Sequence, residues 1–299
     1  SLDANTTGGN NVAIGDNALG ANTTADNNVA VGTEALLVNT TGTSNVAVGS
    51  FALDANTTAS SNTAIGHGSL TANTTGGDNT AVGRSALDAN TTASFNTAVG
   101  RNALTDNTTG ASNTAVGYGS QANTTTGGSN TSVGTNSLEA NTTGEYNVAI
   151  GLQALDSATT PDYNTAVGYT SGRLISTGEK NTLVGGLTGD KLTVGSSNVG
   201  MGYGVLFSDT KGSRSVAVGF SCLTNQNFTS ATETYNTAVG YQAGANVTTG
   251  VENTLIGGRA GDALTDADVN VAIGSGALGV DAKGSRSVAV GAYTLDAQN

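Results

Sequence analysis

The sequence predicts an all-β chain: a parallel β-solenoid, or β-roll, of 17-residue coils. Three observations predict it. The string Asn-Thr/Val-Ala-Val/Ile-Gly recurs with its Asn at 11, 28, 45, 62, 79, 96, 113, 130, 147, 164, 181 and 198, each 17 residues after the last. The period continues through Ser215, takes one 21-residue step to Asn236 and resumes at Asn253, Asn270 and Ser287, giving 17 copies. Within the copies, with the Asn as position one, position two is Val or Thr throughout, position four is Val or Ile except for Met201, and position five is always Gly. The composition fits the same reading: 44 glycines, one proline, no tryptophan and only 4% aromatics leave a thin core of aliphatic side chains. A short fixed period is the mark of units that bury their faces only by stacking on their neighbours.

Taken in order along one coil, positions two to four are β-branched with period two and end at a turn glycine, which is strand chemistry. Position eight is small, and position nine is Leu in 12 units, as in Leu19, Leu36 and Leu104. These two predict a second short strand. Positions 12 to 15 read Asn-Thr-Thr-Gly/Ala, as in Asn107-Thr108-Thr109-Gly110, a polar turn. No unit carries the 3.6-residue spacing a helix needs. Asn fills position one in 15 of the 17 units, so stacked coils would align an amide ladder. Rungs at roughly 4.8 Å predict a fibre segment about 80 Å long.

Regularity divides the chain. Residues 1–163 are regular repeats. Residues 164–299 continue the β-roll less regularly, with Gly172, Gly189, Gly244 and Gly261 in place of the position-nine Leu. The four-residue insertion falls within 221–235. A slip of one residue would exchange the two faces of a strand, so the excess is expected to leave the wall as a corner carrying Asn225, Asn227, Phe228 and Thr229 into solvent or onto a neighbouring chain, with Phe228 either a receptor contact or, as slightly favoured, a packing plug.

Asn28-Val-Ala-Val-Gly32, Asn147-Val-Ala-Ile-Gly151 and the Ser-Arg-Ser-Val-Ala-Val-Gly strings at 213–219 and 285–291 resemble the head repeat of YadA-like trimeric autotransporter adhesins. The Asn-Thr-Ala-Val-Gly…Ala-Leu…Asn-Thr-Thr-Gly arrays are similar to shaft segments of bacteriophage tail fibres. The resemblance covers essentially the whole chain. It implies a left-handed parallel β-roll assembled as a homotrimer, with a structural or adhesive role outside the cell, on a virion or a bacterial surface.

Assembly also has a reading from the residues. If positions two and four face into the coil, position three faces out. That column is Ala in 13 units and never charged. Ala13, Ala30, Ala47, Ala64, Ala81, Ala98, Ala115, Ala149 and Ala166 are therefore expected to form an intersubunit seam, because monomers rarely expose so long an apolar stripe.

Chemistry finds little support. The net charge is -12, from 22 acidic and 10 basic side chains without blocks of either sign, which argues against a nucleic-acid partner. No apolar run approaches the 18 residues or so of a membrane span. No leader is visible at Ser1, so export information is expected outside this sequence. His67 is the only histidine and stands in a freely varying column; Cys222 stands in the small column. Neither has the partners of a hydrolytic triad or a metal site, and Gly185-Gly186 and Gly257-Gly258 lack the rest of a phosphate loop. No catalytic residue, cofactor or metal is expected.

Two other functions fit the repeat less well. An ice-binding solenoid would use the Thr pairs such as Thr57-Thr58, but adjacent residues point to opposite faces. A polysaccharide depolymerase would use the position-ten acids (Asp54, Asp88, Glu139, Asp156, Asp190, Asp262, Asp296), which recur sparsely, with only Glu139 and Asp156 on adjacent rungs. The favoured expectation is a non-enzymatic fibre. It would be the shaft or head of a tail fibre or adhesin, its partners other copies of itself and a host-surface glycan or protein. Exposed aromatics are the candidate receptor contacts: Tyr203, Phe220, Phe228, Tyr235 and Tyr241.

Overall fold

The structure, a computed structural model, describes residues 1–296. It is an all-β parallel solenoid of 17-residue coils, and it divides into two compact units, one of Ser1–Asn147 and one beginning at Val148. In the first unit, three-residue strands from Val12–Ile14 to Thr131–Val133 pair in parallel, each residue opposite its counterpart 17 positions on, as Val12 with Val29 and Ala13 with Ala30. In the second, the run extends from Val148–Ile150 to Val288–Val290 with the same register.

The strand faces are the reverse of the expectation. Position three points inward: Ala30, Ala47, Ala64, Ala81, Ala98, Ala115, Ala149 and Ala166 are completely buried inside their own coils, and Ala13 is partly covered. They are no seam. The reason is volume. A three-residue strand turns one side chain one way and two the other, and a lumen this narrow holds one methyl per rung opposite the Leu of position nine. The β-branched side chains of positions two and four stand outside, where they meet no opposing wall.

Away from the inserted corner each coil has one strand, not two. Positions six to twelve run through turns, and the position-nine leucines adopt left-handed backbone, with φ +50° at Leu19, +51° at Leu36 and +52° at Leu53. That conformation costs a non-glycine residue about 1–2 kcal/mol. Full burial of a leucine returns about 2 kcal/mol, so the conformation persists because the side chain plugs the lumen. Positions seven and seventeen are left-handed too, as at Asn17 and Asn27. Position five is glycine for a different reason. A Cβ on Gly32 would lie 2.5 Å from the carbonyl oxygen of Gly49, so the corner closes only without a side chain.

Two amide ladders run inside the coils. At position one the backbone N–H of each Asn donates to the side-chain Oδ1 one coil back, as Asn45 to Asn28 at 2.9 Å and Asn62 to Asn45 at 3.0 Å. The second ladder, at position twelve, was read from sequence only as a turn. There each Nδ2 donates to the preceding Oδ1, as Asn56 to Asn39 at 2.9 Å and Asn90 to Asn73 at 2.8 Å. The ladders share acceptors: the Gly76 carbonyl receives Nδ2 of both Asn62 and Asn73. Buried amides are tolerated because they are paired. Where the second column changes to Thr124, Oδ1 of Asn107 has no hydrogen-bond partner.

Departures from the repeat are coupled in space. Position nine of one coil lies against position three of the next. A Cβ on Gly172 would meet Leu183 Cδ1 at 3.1 Å and Ile175 Cδ1 at 3.0 Å; one on Gly244 would meet Leu255 Cδ1 at 2.7 Å. Where the leucine plug is lost, Leu183 or Leu255 replaces a position-three alanine and Ile175, Leu192, Val247 or Leu264 replaces a position-twelve asparagine, all fully buried or nearly so. Gln121, another substitute at position nine, instead meets a serine, donating to Oγ of Ser132 at 2.8 Å.

Asp209 occupies position twelve and is fully buried. Gln226 Nε2 donates to it at 2.6 Å and the Gly212 N–H at 2.9 Å. Burial pushes its pKa above the ordinary 3.8, and these hydrogen bonds only partly oppose the rise. A folded-state pKa raised above the unfolded one gives a contribution that is complete below the unfolded pKa and lost as pH rises through the folded one. Asp209→Asn removes this titration. The new amide can also take its column's arrangement, donating to the Gly212 carbonyl and accepting from Gln226. The expected result is stabilisation of about 1 kcal/mol at pH 7 that vanishes towards pH 3, read as melting curves of both proteins across that range. An equal difference at every pH would contradict it.

The insertion leaves the coil register intact: Val216–Val218 pairs with Thr237–Val239, and the Asn227 N–H reaches the Thr248 carbonyl at 2.9 Å. The excess emerges after Asn227 and rejoins at Thr232–Glu233, which pairs in parallel with Gly212–Ser213. Asn225, Asn227 and Thr229 are exposed as expected. Phe228 is not: it turns back and is buried, and its carbonyl accepts from Thr210 Oγ1 at 2.9 Å. An aromatic side chain at a lengthened corner covers the gap that the corner opens, so Phe228 is a packing plug and offers no receptor contact.

Candidate functional site

Two surfaces stand out on each coil's exterior. The first is the sheet face built by positions two and four. Neither column holds a charged residue, and Ile65, Val99 and Val133 in the first unit and Ile150, Met201, Val239, Ile256 and Ile273 in the second are among its exposed side chains. Parallel pairing in register lines up two rows in each unit, position two of Val and Thr and position four of Val, Ile and one Met, so that the position-four row is continuously apolar.

The second surface lies past the position-five glycine. In the second unit Tyr203, Phe220 and Tyr241 occupy position six on three successive rungs. Their rings stack at 5.7 Å and 5.6 Å between centroids, tilted by only 15° and 13°. All three are about half exposed. Such pairs contribute about 0.5–1.5 kcal/mol beyond burial. Gly186 and Gly258 hold position six on the rungs before and after, so the outer faces of the terminal rings are uncovered. Beyond Tyr241, a cleft of about 360 Å³ is lined by Tyr241, Gly258, Arg259, Ser275, Gly276 and Tyr293. Tyr235, the remaining candidate contact, is exposed but held at the inserted corner: Arg214 lies over its ring at 5.5 Å, and its hydroxyl donates to Glu233 at 2.7 Å.

The residues screened for catalysis are occupied otherwise. His67 packs edge-on against Phe51, with centroids 5.7 Å apart. Cys222 is buried, its thiol directed at the carbonyls of Val218 and Gly240, and burial pushes its pKa up, away from a reactive thiolate. Among the position-ten acids, Asp190 takes a two-pronged bond from Arg173 at 2.8 Å and 3.1 Å, tying adjacent rungs together. Asp54 has its pKa raised by burial first and by Glu34 and Asp88 after, but no hydrogen bond reaches its Oδ1. Threonine hydroxyls of position thirteen donate to the next coil's carbonyls, Thr40 to Thr57 at 3.1 Å and Thr91 to Thr108 at 3.1 Å, so they stitch the wall. No group of three His, Cys, Asp or Glu side chains suited to a metal occurs among the described residues.

No protein-family model, curated protein or solved structure matches the chain.

Proposed function

We propose that the chain is a non-enzymatic segment of an adhesive fibre, assembled as a homotrimer through the outward faces of positions two and four. The observation that carries this reading is the uncharged, β-branched sheet face. In a chain of net charge -12 these two columns hold no charged residue in any of the 17 units, and apolar faces of this extent mark association sites. The partner of matching period is another copy of the same chain, since only it repeats a complementary row at the same rung spacing. The resemblance of the repeats to adhesin heads and tail-fibre shafts supports three copies and a position outside the cell, on a virion or a bacterial surface.

Sedimentation analysis tests it. The wild-type chain is expected to sediment as a trimer at micromolar concentration. Val99→Glu with Val133→Glu, which places charges on the face without touching the lumen, is expected to yield a folded monomer of unchanged circular dichroism. A wild-type chain that stays monomeric overturns the proposal.

A further inference from the structure

We infer that the cleft between Tyr241 and Tyr293 binds one pyranose ring of a glycan. This deepens the adhesive reading above and rests on it for its biological role, although the cleft itself is argued from geometry.

The tyrosine stack ends at Tyr241 because position six on the next rung is Gly258, where an added Cβ would find nothing within 4 Å. The following rung offers only Ser275 and Gly276. Tyr293 belongs to the rung after that, but its ring leans back over Gly276: a Cβ there would lie 2.8 Å from Tyr293 Cδ1. The two rings therefore bound a gap of about two rungs, roughly 9–10 Å at the usual strand spacing. A ring seated between two aromatic faces needs contact distances of about 3.5–4.0 Å on each side, so the gap admits one saturated six-membered ring and no second.

Its chemistry suits a sugar. The walls are tyrosine rings, the kind of surface that takes the C–H face of a pyranose, and the lining adds polar groups for the hydroxyls: the Ser275 side chain and the Arg259 guanidinium. Arg259 is exposed, and no carboxylate lies within 4.0 Å of it among the described residues; Asp262 and Asp296 are the acids of the same surface, on position ten. Few polar groups set among apolar walls are what a small-ligand cleft requires. An extended peptide would need an open strand edge or a longer groove, and a cleft closed by a ring at each end has neither.

The decisive variant fills the cleft rather than damaging it. Gly258→Tyr continues the stack from Tyr241 into open space, so it is expected to keep the melting temperature and the sedimentation of the wild type. Saturation-transfer NMR with methyl galactoside, N-acetylglucosamine and glucuronic acid as probes is expected to show transfer to at least one of them with the wild type. That transfer is expected to fall at least tenfold in Gly258→Tyr and in Tyr241→Ala. Preference for glucuronic acid, lost in Arg259→Gln, would assign the guanidinium to a sugar carboxylate; indifference to Arg259→Gln would leave stacking as the source of binding. No transfer to any probe, or transfer that survives Gly258→Tyr, overturns the inference. Attachment to cells separates it from the adhesive reading. A Gly258→Tyr fibre that attaches as the wild type does leaves adhesion standing and removes the cleft; sugar transfer from a fibre that attaches to nothing does the reverse.

Discussion

Ala98→Glu is expected to unfold the coils around it, whereas Val99→Glu, one residue on, is expected to leave them folded. Ala98 has no exposed surface and faces a lumen filled by neighbouring alanines and leucines. A glutamate there has neither room nor a partner for its carboxylate, and the penalty, on the order of 4 kcal/mol or more, exceeds what one coil contributes. Because each coil contacts only its neighbours, hydrogen exchange should report lost protection centred on residues 79–130 and falling off to either side. Val99 stands on the outward face and about a third of its surface is exposed; a charge there meets solvent in the single chain. Equal damage from the two substitutions would show that the lumen is on the other side of the strand.

The second large effect concerns the leucine plugs. Leu87→Gly removes a fully buried side chain from a left-handed position. Cavity formation of this kind costs about 3–5 kcal/mol, and the relief of backbone strain returns about 1 kcal/mol, so a net loss of about 3 kcal/mol is expected. Adding Ala98→Leu should recover more than half of it, because position three of the next coil reaches the same space, as Leu183 does at Gly172. A double variant no more stable than Leu87→Gly alone would show that the coupling read from the second unit does not transfer to the first. Melting temperatures of the two variants and the wild type decide it.

The coil length, the strand at positions two to four, the turn glycine and the position-one amide ladder were all legible in the columns, because each depends on a repeated local preference. The direction of the strand was not. With three residues, alternation leaves two assignments, and the β-branched pair points to the core only by analogy with longer strands, which usually bury such residues. What decides is the width of the lumen, which one column of alanine satisfies and two columns of valine would overfill. The turn conformation of position nine was hidden because leucine rarely adopts left-handed backbone. A usable signal was present: Gly172, Gly189, Gly244 and Gly261 alternate with leucine in that column, and glycine is the residue that accepts positive φ without strain. The cleft beside Tyr241 was missed since the sequence marks aromatics and not the gaps between them; Gly258 in position six was the clue. Tyr203, Phe220 and Tyr241 are exposed as expected, whereas for Phe228 sequence leaves both a receptor contact and a packing plug open, because it cannot show which way a lengthened corner folds its side chain, and burial selects the plug.

Under the proposed assembly, the protruding corner after Asn227 would have a consequence for how identical chains find each other. Two surfaces built from the same rung over and over have a translational degeneracy: sliding one copy by a single coil sacrifices one rung of contact at the end and restores all the others, so competing alignments lie close in free energy. Thr229, Ser230 and Ala231 occur on one rung only, and so does the small sheet of Gly212–Ser213 with Thr232–Glu233. Copies that associate along their length can bring these singular rungs level in only one alignment. In such an assembly the irregular corner would act as an indexing mark on an otherwise periodic molecule.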